Sequence, residues 1–179
     1  MAAAQHCIQG RHPIGLYIAV PVALLLALAQ TTVLGNATVL GVHLNLLLLF
    51  AISWVLRRGL SEGLMIGLLG GMILDVSSAA PFGTWIASLA VAISLAALGE
   101  VNVFQGAWFL KFGVVAGAVL LVNLVSVTIL RIAGYDPILL RSLGRVIVPE
   151  LFLHILLMPV MYGLVKWIVN RIEPPAVEF

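Results

Sequence analysis

The chain has 179 residues, of which 63% are hydrophobic and only 9% charged, with a formal net charge of +2. Water-soluble domains run about half apolar and a quarter charged, so this composition, with a mean hydropathy of +1.19, excludes a soluble globular domain and points to a membrane. The single cysteine, Cys7, rules out an intramolecular disulfide and a cysteine-based metal cluster, and the scattered Lys and Arg residues form no basic run of the kind that would suggest nucleic acid.

A spanning helix needs roughly 20 mainly apolar residues. In chain order, with Gly, Pro and charged residues as breakers, six stretches emerge within one integral membrane domain: 14–34, 42–56, 60–76, 83–98, 106–130 and 148–169. The predicted fold is all-α, a polytopic membrane bundle of six transmembrane helices. In the first stretch "ALAQ", from Ala27, has the small-x-small look of a signal-peptide cleavage site. The apolar run continues to Leu34, longer than the usual h-region, which favours an uncleaved span. Trp54, Trp85, Trp108 and Trp167 fall near predicted span ends, where amphipathic rings favour the membrane interface. With the N-terminus in the cytoplasm, the inner side collects Arg11, Arg57, Arg58, Lys111, Lys166 and Arg171, and the outer side Arg131, Arg141 and Arg145. The bias places both termini inside, with Arg57 and Arg58 marking the cytoplasmic edge.

The third stretch carries the strongest pattern. In "GLSEGLMIGLLGGMILD" a glycine recurs at every fourth position, Gly59, Gly63, Gly67 and Gly71, and Asp75 takes the next step. Each four-residue step turns only about 40° around a helix, so these glycines trace one slanted groove. Because lipid tails are as apolar as leucine, such a groove is stabilising only where another backbone comes close enough for dispersion contacts. The spacing predicts tight helix packing, within this chain or, alternatively, at a seam with another. Ala19-Ala23-Ala27 on the first stretch and Gly113-Gly117 on the fifth are similar patterns, and either could be the mate. Asp75 precedes the turn "VSSAAPFG", which contains Pro81 and Gly83. A carboxylate at that depth either accepts hydrogen bonds from Ser77, Ser78 or following backbone amides, or meets a partner.

Other polar residues suggest less specific chemistry. Glu150 and His154 lie one helical turn apart, and His43 is the one plausible third ligand for a metal. A hydrogen-bonded pair is the ordinary outcome of that spacing, so no metal and no cofactor are assigned. Asn123 and Ser126 read as interhelical hydrogen-bond groups. Asp136 could cap a helix beginning at Pro137 with Arg141 and Arg145 opposite its apolar residues, which suits a helix on the outer membrane surface or an extension of the sixth span. With two aspartates in all and no GxSxG, HExxH or GxxxxGK[ST] motif, no enzyme is expected.

The segment "HLNLLLLFAISWVLRRGLSEGLMIGLLGGMILDVSSAAPFG" resembles the rod shape-determining protein MreD family: an apolar helix ending in Trp and basic residues, then a Gly-rich helix closing on Asp and a Pro/Gly turn. "LAQTTVLG" looks like the end of that family's first helix, and "VPELFLHILLMPVMYGLVKWI", with Pro149, Pro159 and Tyr162, resembles its last. The chain departs from the pattern at His43-Leu44-Asn45 and at His154. The resemblance implies a non-catalytic subunit of the bacterial elongation machinery in the inner membrane. Its partners would be an MreC-like single-span protein and, through it, the MreB cytoskeleton and a RodA-type glycosyltransferase with its transpeptidase. The implied fold is similar to the substrate-binding subunits of energy-coupling-factor transporters, and a vitamin- or metal-binding transport subunit is the alternative function.

Overall fold

A computed structural model of the protein describes residues 14–32, 44–98, 108–134 and 138–172. Cys7, Arg11, His43, Asp136 and the beginning of the fifth stretch at 106 lie outside the described residues, as do the side chains of Trp108, Arg141 and Arg145. The described elements are α1 (Ile14–Thr32), α2 (Leu46–Arg58), α3 (Leu60–Ser77), α4 (Thr84–Leu98), α5 (Trp108–Ile132) and α6 (Ile138–Ile172).

The bundle is organised around α2. Its sequence "LLLLFAISWVLRR" is apolar all round until the two arginines, and a helix without a polar face is stable only where neighbours surround it. Every residue from Leu47 to Val55 is buried. Helices α1, α3, α4 and α6 pack directly on α2; α5 is held between α4 and α6, and α1 touches α6 only lightly. The outer helices bury one stripe each and expose apolar residues on the other, such as Met65, Leu69 and Met72 on α3 and Phe152, Leu156 and Val160 on α6. A large apolar outer surface of this kind is what lipid requires.

Among the described residues four segments are long and apolar enough to cross a bilayer: Gly15–Thr32, Leu60–Ser77, Lys111–Ile132 and Ile147–Ile172. The chain is therefore an all-helical membrane protein. The other two helices, with 13 and 15 residues, rise only about 20 and 22 Å against a hydrocarbon core of about 30 Å. The stretch expected at 42–56 is here a helix that begins only after its cap, Asn45. Of the two expectations for the segment before 148, the extension of the sixth span is the one found: one helix of 35 residues runs through Pro149 and Pro159. Trp54 is a further correction: it is buried beside Phe50 rather than set at an interface, because its helix is internal.

Gly59 joins α2 to α3 as a single-residue link. Its backbone, at φ 91° and ψ 174°, lies in a region that is essentially restricted to glycine. Its N–H closes α2 on the Val55 carbonyl at 2.8 Å. The first of the four regularly spaced glycines thus makes the hairpin and is not part of the helix. Gly59→Ala is expected to cost about 1–3 kcal/mol, read as a lower unfolding temperature in detergent; an unchanged temperature would remove the strain argument.

Candidate functional site

Gly63, Gly67, Gly70 and Gly71 occupy one side of α3. On a 100° helical wheel they span about 100°, with Gly63 and Gly70 at one edge and Gly67 and Gly71 at the other. The structure divides this face between two neighbours. A Cβ on Gly63 would strike Val55 of α2, and one on Gly70 would come within 2.6 Å of a Leu47 methyl on the same helix. A Cβ on Gly67 would strike the end of Ile93 on α4, and one on Gly71 would sit 3.2 Å from the Ile86 Cα and 3.4 Å from its backbone nitrogen. The groove is filled by this chain's own α2 and α4. Gly70, outside the four-residue register, was the contributor that spacing alone passed over. Of the other small-residue patterns, Ala19, Ala23 and Ala27 are buried in the bundle, where α1 packs on α2 and α3. Gly113 faces open space, and Gly117 makes only ordinary contact with Leu95 at 3.5 Å.

The close approach at Gly71 brings the start of α4 to Asp75. The Asp75 carboxylate, with the residue only 3% exposed, accepts the Trp85 N–H at 2.8 Å through one oxygen and the Ile86 N–H at 3.1 Å through the other. A helix begins with four N–H groups that have no partner of its own, and Gly83, the residue before α4, has no side chain to offer them. Asp75 therefore caps α4 from α3, where its charge also favours the positive end of the helix dipole. The turn between them is braced at Pro81, whose carbonyl accepts the Thr84 N–H at 3.2 Å and the Thr84 hydroxyl at 2.7 Å. Gly83 takes a positive φ of 96°. The backbone amides reached by Asp75 are thus ten and eleven residues on, and not those of the adjacent serines.

The first turn of α2 is capped from other helices in the same way. The Asn45 N–H donates to His154 Nε2 of α6 at 3.2 Å, the Leu47 N–H to Gln30 Oε1 of α1 at 3.2 Å, and the Leu48 N–H to Asn45 Oδ1 at 3.0 Å. His154 Nδ1 lies 2.8 Å from the Glu150 carbonyl, so the proton sits on Nδ1 and leaves Nε2 to accept. Asn123 of α5 donates to Glu150 Oε2 at 2.9 Å, and Ser126 meets Ser88 of α4 at 2.9 Å. Glu150 and His154 thereby tie α6 to α5 and α2. Gln30 was not legible as a cap, since it reaches across 17 residues.

At the opposite end of α2, Arg58 is buried at 3% exposure and does not simply mark an edge. Its Nε lies 3.6 Å from Glu62 Oε2, which also accepts the Trp54 indole N–H at 2.9 Å. Gly15 of α1 leaves room for the Arg58 guanidinium, since a Cβ there would collide with it. Arg57 lies over the Tyr162 ring of α6. Glu62 carried no motif; the hairpin at Gly59 brings it back alongside Trp54.

These features define a helical membrane protein whose polar interior groups largely join one helix to another. Comparison of the chain with protein-family models, with curated proteins and with solved structures finds no match.

Proposed function

We propose that this protein is a non-catalytic scaffold subunit of the MreD kind in the bacterial cell-elongation machinery. It resides in the inner membrane with six crossings, in which the short α2 and α4 run beside longer spans, and with both termini in the cytoplasm; it binds an MreC-like partner, and through it connects with a RodA-type glycosyltransferase, its transpeptidase and the MreB cytoskeleton. Beside the resemblance of the α2–α3 hairpin, the observation that carries this reading is the use made of the interior polar groups. Both Asp75 oxygens and both His154 ring nitrogens are engaged in bonds within the chain, so these groups serve to join helices rather than to meet a solute. A ligand site needs convergent polar groups that the ligand itself satisfies. The buried Ala19-Ala23-Ala27 stripe is likewise occupied inside this chain, which weighs against its use as a docking stripe for a transport subunit. With the glycine face filled by α2 and α4, the partner meets outward faces, such as the side of α3 that carries Met65, Leu69 and Met72.

Co-expression tests the reading. The protein is expected to co-purify with the MreC-like protein of the same cell, and its depletion to turn rods into spheres. Retention of a stoichiometric vitamin or divalent metal by the purified protein, together with normal cell shape on depletion, would favour the transport alternative and overturn the scaffold.

A further inference from the structure

The end of the bundle where α2 finishes gathers cations around one aromatic ring. The Lys111 ammonium of α5 lies 4.1 Å from the centre of the Tyr162 ring, and the Arg57 guanidinium lies 5.4 Å from it. Lys166 follows Tyr162 by one turn of α6. Beside this group α5 and α6 part to leave a cleft of about 220 Å³, with Lys111 and Lys166 at its polar rim and Phe112, Met158, Pro159 and Gly163 along its apolar walls. Gly163 keeps the cleft open: nothing lies within 4 Å of the position a Cβ would take.

Among the described residues no carboxylate pairs with Lys111, Lys166 or Arg57. Among the described residues the carboxylates are Glu62, Asp75 and Glu150. Glu62 is engaged by Trp54 and Arg58, while Asp75 and Glu150 serve the polar layer at the other end. An anion with oxygen acceptors at the mouth of this apolar slot would complement the two lysines at its rim.

We propose that the α5–α6 cleft binds an anionic phospholipid, its phosphate held by Lys111 and Lys166 and the start of an acyl chain laid along Met158, Pro159 and Gly163. One molecule supplies both halves of the complementarity, and basic pockets between membrane helices accept such headgroups. A free phosphate would meet the cations but leave the slot empty.

The test uses the purified protein in phosphatidylcholine nanodiscs, with phosphatidylglycerol as the probe and inorganic phosphate as a separate arm. Phosphatidylglycerol is expected to raise the unfolding temperature and to remain bound in native mass spectra after detergent exchange. Lys111→Gln with Lys166→Gln should weaken that binding about thirtyfold, the product of two lysine contributions at a charged headgroup. Gly163→Leu fills the slot without changing charge and should also displace the lipid, whereas Lys111→Arg with Lys166→Arg should retain it. If the glutamine pair does not fold, the leucine and arginine variants decide the matter. Equal retention of phosphatidylcholine, unchanged binding in the leucine variant, or the same stabilisation by inorganic phosphate alone would overturn the proposal.

Discussion

Asp75→Ala is expected to destabilise the protein by at least about 3 kcal/mol, because two charge-assisted hydrogen bonds are lost together. Their donors, the Trp85 and Ile86 amides, have no alternative acceptor within α4. Water would normally take over at a frayed helix start, but a site this buried offers little of it, and in hydrocarbon an unsatisfied amide costs several kcal/mol. Asp75→Asn should fall between variant and parent: its carbonyl oxygen can still accept one amide, while its NH₂ group faces the other donor. The measurement pairs thermal unfolding in detergent with hydrogen exchange at Trp85 and Ile86. Loss of protection confined to the first turn of α4, with a lower unfolding temperature, is the expected result. Parent-like protection in Asp75→Ala would sink the cap. The same variant separates cap from partner contact, since a residue that acted only by touching a second protein would leave both readouts of the isolated subunit untouched.

The readable part of the fold was the part governed by local pattern. The three long helices over 14–32, 60–77 and 108–132 begin and end close to the expected boundaries because apolar runs and breakers act over a few residues. Residue spacing also placed Gly63, Gly67, Gly71 and Asp75 on adjoining parts of one helical face. What each touches was not legible, because that depends on which helix lies opposite. The Asp75–Trp85 bond, the Gln30 cap on α2 and the Trp54–Glu62 bond are set by tertiary neighbours, and none has a spacing that local periodicity reads. The burial of Trp54 and Arg58 escaped for a related reason. In a membrane chain nearly every helix is apolar, so hydropathy does not distinguish the helix at the centre from those facing lipid. Pro149 and Pro159 fall inside the expected stretch 148–169 and the helix does run through them: proline is a strong helix breaker in water, but within a membrane bundle it is tolerated inside α6, where neighbouring groups can satisfy the freed carbonyls.

Gly63→Ile should have the largest effect of any substitution on the glycine face, and the reason lies in which atoms stand in the way. Glycine to alanine inside a helix is worth up to about 1 kcal/mol in propensity, while overpacking costs about 1–3 kcal/mol, so the sign at each position turns on whether the neighbour can yield. At Gly67 the obstacle is the terminal methyl of Ile93, and at Gly70 it is the end of Leu47; both can change rotamer, and alanine there should be nearly neutral. At Gly71 the obstacle is the backbone of Ile86, part of the turn that donates to Asp75. Alanine at this position has to push α4 away from its cap. At Gly63 the obstacle is Val55, β-branched and largely confined to one rotamer in a helix. Behind it Ile93 Cγ2 stands 3.6 Å from the new Cβ position. Isoleucine adds two further branches to a space that cannot take the first carbon, so the cost should exceed about 3 kcal/mol. Measured on the isolated subunit in detergent, the expected order of destabilisation is Gly63→Ile, then Gly71→Ala and Gly63→Ala, with Gly67→Ala and Gly70→Ala close to the parent. A face reserved for another protein would give a different pattern: all five variants as stable as the parent, and partner binding lost in those with the bulkiest side chains.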